Sequence, residues 1–299
     1  MITQRELKKR VGRASAILSS CTFCPRGCRV NRLEGEKGFC RGGQSAKVAS
    51  HNSHFGEEPP ISGSRGSGTI FFSGCTLHCL FCQNYPISQL REGREVSVPE
   101  LARMMLSLQK NGCHNLNLVT PTHFVPQILE ALHQAKREGF NLPVVYNTSG
   151  YETIDTLKLL EGVVSVYLPD LKYGNDKSGA DISGVVNYFT FAGPAIKEMY
   201  HQVGNLRVDN EGVAQEGLIV RHLVLPGDLS TTGEVLRFLA GEVSLDVTVS
   251  LMAQYFPAHR AQFHPELNCR VPGREYCKMV KLAQELGLHN LFVQEIPEF

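Results

Sequence analysis

The chain has no tryptophan, no low-complexity tract, and no apolar run near the roughly 18 residues a membrane-spanning helix requires. It also lacks a charge excess. Thirty lysines and arginines face 29 aspartates and glutamates, a formal +1, so a polyanion-binding surface is not expected and nucleic acid is disfavoured as a partner. A convincing export signal is missing as well. Basic residues precede a lipobox-like Leu18-Ser19-Ser20-Cys21, but the apolar part, 14–18, is short and broken by serine. Thr3 and Glu6 instead suit the capping box of an amphipathic helix. The expectation is a cytoplasmic protein with no membrane association. In a reducing compartment, cysteines point to metal binding or redox chemistry rather than to a disulfide framework.

Cysteine is what the chain does have: ten residues, unevenly spread. Cys21, Cys24, Cys28 and Cys40 form one group, and Cys75, Cys79 and Cys82 a second. Cys113, Cys269 and Cys277 stand alone and read as ordinary free cysteines. Of these, Cys269 is the one expected to approach a substrate. Between the groups, EEPPISGSRGSG (57–68) is rich in Gly, Ser and Pro and reads as loop or linker. It divides the chain into an N-terminal helix and cysteine-rich metal-binding lobe (1–60) and a larger unit (61–299).

From residue 69 onward, short β-rich runs alternate with helical ones. Strands are expected at 69–74, 116–120, 142–150, 164–173, 217–227 and 245–252, with a terminal one at 291–295. Helices are expected at 97–112, opened by a Ser97/Glu100 capping box, and at 125–139, 151–162, 185–203, 231–243 and 273–287. Six β/α units without hairpin signals predict an α/β fold with a parallel sheet wrapped by helices. Reactive loops then gather at the C-terminal ends of the strands. The three-cysteine loop falls at that end of the first strand.

Cys75-x3-Cys79-x2-Cys82 offers three thiolates within eight residues. A structural zinc site takes four protein ligands, whereas a [4Fe–4S] cubane held at three corners keeps one iron open. The stretch Cys75-Thr76-Leu77-His78-Cys79-Leu80-Phe81-Cys82, aromatic before its last cysteine, resembles the signature of the radical S-adenosylmethionine superfamily. GSGTIFFSGC, PDLKY and RHLVLPG resemble, more narrowly, relatives of pyruvate formate-lyase activating enzyme. The resemblance spans about residues 20–295. It implies a partial (β/α)6 TIM-like barrel, a [4Fe–4S] cluster on Cys75, Cys79 and Cys82, and S-adenosylmethionine bound at the open iron. It also implies reductive cleavage of that cofactor to a hydrogen-abstracting 5′-deoxyadenosyl radical, fed by a reductant such as flavodoxin or ferredoxin.

The same resemblance gives Asp170 and Lys172 a part in holding S-adenosylmethionine. Asn147, Ser149 and Arg221 are further cofactor-side candidates. Where the family commonly carries a Gly-Gly-Glu-like stretch after its second strand, this chain has Thr120-Pro121-Thr122-His123. Thr120 and Thr122 can still bond a ligand there, but a carboxylate is missing. His123 reads as structural, with a substrate-side acid or base as the alternative. Met252 to Tyr255 read as packing, with a ligand contact as the alternative.

The group C-x2-C-x3-C-x11-C at 21–40 supplies four ligands, with Pro25, Gly27, Gly35 and Gly38 allowing tight turns. A zinc knuckle and an auxiliary iron–sulfur cluster both suit it, and zinc or another structural metal is the expectation. Three functions follow. The chain activates a glycyl residue of a partner enzyme, or it modifies a small molecule or other macromolecule, or it is a non-catalytic iron–sulfur carrier or structural metal protein.

Overall fold

The computed structural model of the protein describes residues 2–295. The chain opens with α1 (Gln4–Ile17), where Thr3 Oγ1 accepts from the Glu6 N–H at 3.2 Å and Leu7 and Ala14 turn inward. After the cysteine-rich loop come β1 (Ala46–His54), α2 (Pro59–Ser62), β2 (Ser67–Phe72), α3 (Tyr85–Ser88) and β3 (Arg94–Val96). Next are α4 (Val98–Lys110), β4 (Leu116–Val119), α5 (Val125–Arg137), β5 (Val144–Thr148), α6 (Ile154–Leu160) and β6 (Val166–Pro169). Two helices follow in succession, α7 (Asp176–Ser183) and α8 (Tyr188–Val203), then β7 (Arg207–Val208), β8 (Ala214–Leu223), α9 (Thr232–Phe238) and β9 (Thr248–Met252). The described chain closes with α10 (Gly273–Glu285) and β10 (Leu291–Val293).

The six expected strands are β2, β4, β5, β6, β8 and β9. They pair in that order, every junction parallel, and β10 adds a further parallel strand. The path ends at β10 on one side and at β3 on the other, so the cylinder is open. This is the expected partial barrel.

Alternation along the strands makes two layers, because successive side chains point to opposite faces. Val145, Val166, Leu168, Ala214 and Ile219 form a separate apolar cluster inside the barrel with Ile61. Tyr146 and Tyr167, one residue out of phase, belong to the outer core beneath the helices. The inner column continues upward as polar residues: Asn147 above Val145, Asp170 above Leu168, Arg221 above Ile219. An apolar plug thus lies under a polar cavity.

Four expectations need correction. The segment 57–68 is not a linker: Ile61 fills the barrel, Glu57 and Glu58 enter the cavity, and Ser67 begins β2. Antiparallel pairings occur after all, β1 with β2 and β3 and β7 with β8. β3 and β7 are only three and two residues long, and β1 is polar and half-exposed over much of its length, so no apolar run announces them. The helix expected at 185–203 has a predecessor, α7, stopped by left-handed Gly184 (φ 65°). Finally, the helix expected at 231–243 is α-helical only to Phe238 and finishes in a π turn at Leu239–Val243.

Candidate active site

The loop after β2 carries Cys75, Cys79 and Cys82, and all three line one cavity of about 570 Å3 at the C-terminal ends of the strands. Each sulfur has one polar neighbour. The Leu77 N–H donates to Cys75 Sγ at 3.4 Å, Ser183 Oγ donates to Cys79 Sγ at 2.9 Å, and Ser88 Oγ lies 3.1 Å from Cys82 Sγ. Tyr173 Oη holds the Ser183 hydroxyl from behind at 2.7 Å. Burial, and then the neighbouring thiols, push the Cys75 pKa up to about 12, so its thiolate needs positive charge beside it. Among the described residues no three His, Cys, Asp or Glu side chains close on a point as ligands of a single ion would. Three soft sulfurs facing one cavity are a donor set that fits an iron–sulfur cluster.

Opposite the thiols the cavity wall is built from strand ends. Asp170 follows β6, and its carboxylate takes the Lys172 ammonium at 2.5 Å. Burial works against the charged amine, but the Asp170 carboxylate lifts its pKa well above the usual lysine range. Asn147 and Ser149 line the cavity from the end of β5, and Thr120 from the end of β4, in the left-handed region at φ 57°. Arg221 points inward from β8 and is gripped by two carboxylates. Its Nε donates to Glu58 Oε1 at 2.7 Å, and its Nη2 reaches Glu58 Oε2 at 2.5 Å and Glu57 Oε2. Asn117 Nδ2 donates to the other Glu57 oxygen at 2.9 Å. Burial opposes ionisation of Glu58, yet the Arg221 contacts hold its pKa below the usual carboxylate range. The two glutamates are the functional-site residues that the sequence reading missed. Their only local signal is an adjacent acidic pair ahead of Pro59-Pro60.

Thr122 does not line this cavity. Its hydroxyl donates to Glu152 Oε1 at 2.6 Å, beside Thr148, which bonds the same oxygen. The carboxylate missing after β4 is thus supplied to Thr122 from after β5, inside the wall rather than on the ligand side. His123 is also buried, with Nε2 2.9 Å from the Ser73 carbonyl, and burial drives its pKa down to about 4. It serves as a neutral structural histidine. Met252 and Gln254 reach the cavity, whereas Tyr255 packs on Phe81 and bonds the Leu267 carbonyl. Cys269 is exposed and away from the cavity, contrary to expectation. Cys113 is buried beside Ser53, and Cys277 is exposed on α10.

Glu152 gives a pH signature. Burial pushes its pKa up to about 7, although three hydroxyls donating to it work the other way. Between about pH 4.5 and 7 the folded chain therefore keeps a proton that the unfolded chain has lost. Stability falls as pH rises through that window, by about 3 kcal/mol in all. Glu152→Gln removes this loss. Urea titrations of variant and parent should diverge in the variant's favour from pH 4.5 to 7.5; a constant difference would show that Glu152 ionises normally.

The other four cysteines also converge. Cys21, Cys24, Cys28 and Cys40 line one small enclosed space together with Arg26, Arg32, Phe39 and Thr76. Gly38 lets the loop close, since a Cβ there would lie 2.8 Å from Cys28 Sγ. The loop is pinned to the barrel by Thr156 Oγ1 donating to the Phe23 carbonyl at 2.9 Å and Gln127 Nε2 to the Gln44 carbonyl at 2.6 Å.

Among known proteins, residues 69–239 match the Radical SAM superfamily. The chain is 33% identical over 295 residues to Uncharacterized protein MJ0674 of Methanocaldococcus jannaschii, covering 96% of this chain and 80% of the relative. It is 23% identical over 302 residues to Uncharacterized protein MJ0808 of the same organism, covering 93% and 81%. A solved structure, the FeFe-hydrogenase maturase HydG from Carboxydothermus hydrogenoformans, superposes with a TM-score of 0.49 at 13% identity. That match covers 73% of this chain and half of the HydG chain. Family match, open parallel barrel and thiol-lined cavity agree: the chain belongs to the radical S-adenosylmethionine superfamily, whose enzymes work with a [4Fe–4S] cluster and S-adenosylmethionine.

Proposed function

We propose that Cys75, Cys79 and Cys82 hold the [4Fe–4S] cluster and that the enzyme acts on a polypeptide, in the manner of the pyruvate formate-lyase activating enzymes. When bound, cluster and cofactor supply a one-electron cleavage that yields a species able to take a hydrogen atom. The chain's own residues bind, orient and exclude water. The Asp170–Lys172 pair and the amide and hydroxyls of Asn147, Ser149 and Thr120 offer partners for a zwitterionic, ribose-bearing cofactor.

One observation carries the polypeptide reading. The cavity does not end at the barrel wall. At Gln254, Val293 and Gln294, on the open β9–β10 side, it meets a broad groove of about 1790 Å3 running along α10. A groove of that size beside an open barrel suits an inserted loop of another protein. The Glu57–Arg221–Glu58 floor favours the second reading, a small charged substrate, because such a floor has little to offer a bare glycyl backbone.

Anaerobic incubation with S-adenosylmethionine, reduced flavodoxin and candidate glycyl-radical enzymes tests this. A stable protein radical on the partner, seen by spin resonance, is the expected result. Cleavage of the cofactor with no partner radical across the candidates would sink the polypeptide reading in favour of the small substrate.

A further inference from the structure

The chain between β9 and α10, residues 253–272, folds back over the outer side of the three-cysteine loop. Its short 3-10 turn, His259–Phe263, is stitched there at three points. The Ala261 N–H donates to the Leu80 carbonyl at 2.9 Å, and the His259 ring stacks on Tyr85 with 4.5 Å between centroids. Arg260 Nη2 donates to Gln89 Oε1 at 3.3 Å, and Gln89 Nε2 donates in turn to the Cys79 carbonyl at 3.0 Å. Neither Gln89 nor Arg260 lines the cavity. An exposed cation thus stands two hydrogen bonds from the peptide of a buried thiol, on the side away from the cofactor space.

The surface around Arg260 is apolar as well as cationic. Side chains three apart in a 3-10 turn lie on one edge, so Phe263 shares the face of Arg260, and it is 81% exposed. Leu90, the residue after Gln89, is 63% exposed. Large apolar side chains beside an arginine on an open face are the usual make-up of a protein contact. The charge around them is of one sign. His78, between Cys75 and Cys79, has its pKa lowered first by burial and then by Arg26, Arg91, Arg260 and His259, with no carboxylate among them. Arg26 stacks on Phe39, and that ring meets His78 at 4.2 Å between centroids. Glu266, the one acid in 253–272, lies toward Lys177 of α7.

We propose that Leu90, Arg91, Arg260 and Phe263 form the docking surface for an acidic one-electron carrier protein, and that its electron enters the three-cysteine loop there. The inference rests on the assignment of the [4Fe–4S] cluster to Cys75, Cys79 and Cys82. A docked carrier is oxidised by one electron, and that cluster is reduced by one. On the cavity side, cofactor and substrate stand between the loop and any folded protein. On the outer side nothing does, and cations around an apolar centre both attract an acidic carrier and set its orientation. The groove along α10 contains none of these four residues, so carrier and substrate protein have separate places on the enzyme.

Surface plasmon resonance of the anaerobically reconstituted enzyme against oxidised flavodoxin tests the surface apart from turnover. The wild-type chain should bind with an affinity that falls as salt rises. Arg91→Glu/Arg260→Glu and Phe263→Ala should each weaken binding by at least about tenfold. Stopped-flow reduction of the cluster by reduced flavodoxin should slow in both. Cleavage of S-adenosylmethionine driven by dithionite, which needs no docking, should stay at the wild-type rate. Flavodoxin binding unchanged in both variants overturns the proposal, as does binding indifferent to salt. Should Phe263→Ala instead abolish pairing of two copies of the chain and leave flavodoxin binding intact, the patch is a self-contact and the proposal likewise fails. A wild-type chain that binds flavodoxin in this salt-dependent way yet cleaves nothing under dithionite would fault the cluster assignment and leave the docking surface standing.

Discussion

Cys79→Ala, reconstituted anaerobically with iron and sulfide, is expected to lose reductive cleavage of S-adenosylmethionine to background. The expectation follows from geometry as well as spacing. Cys79 is the most enclosed of the three thiols on the cavity, and its sulfur is the one held by a hydroxyl, Ser183, that is itself fixed by Tyr173. Removing the sulfur leaves the cluster on two corners and points the hydroxyl at an empty space. A graded companion separates ligation from surroundings. Ser183→Ala keeps every sulfur and removes one hydrogen bond, so it should bind the cluster yet lower its reduction potential. Activity should drop by about 10–100-fold, the usual cost of losing such a support. Production of methionine and 5′-deoxyadenosine under dithionite is the readout. Full turnover by Cys79→Ala would remove the cluster from this loop.

Arg221→Ala should be the most damaging change away from the cysteines. It strips the countercharge from Glu57 and Glu58, whose side chains are 7% and 6% exposed. Breaking a buried pair from one side costs about 3–5 kcal/mol, because the partner charge stays behind. Here two carboxylates remain, directly above the apolar plug formed by Ile61. Urea unfolding of the metal-free protein should show that loss, and Glu57→Gln/Glu58→Gln in the Arg221→Ala background should restore most of it. A loss below about 1 kcal/mol would mean that the glutamates are hydrated and that the cavity floor is open to water.

The parallel strands were legible because both their faces are buried and they read as short apolar runs: IFF in β2, LNLV in β4, VVY in β5, TVSLM in β9. β1 was not, since its AKVASHNSH sequence is polar along an exposed half. The same contrast holds at the site. Three cysteines in eight residues declare themselves locally, and so does the Asp170–Lys172 pair two residues apart. The Glu57–Arg221 bond spans 164 residues and the Thr122–Glu152 bond 30, distances at which single-chain patterning carries no signal. Thr122 was assigned to the ligand side for the right chemistry but the wrong face.

The pairing of β1 with β2 bears on how the protein can be cut down. A shortened version starting at residue 61 looks natural from composition, yet it would uncover one flank of the first barrel strand and the surface of α5 on which Leu7 and Ala14 sit. It would also discard Glu57 and Glu58 while retaining Arg221. A shortened version that keeps these contacts therefore retains α1 and β1, and a purification tag should not replace either.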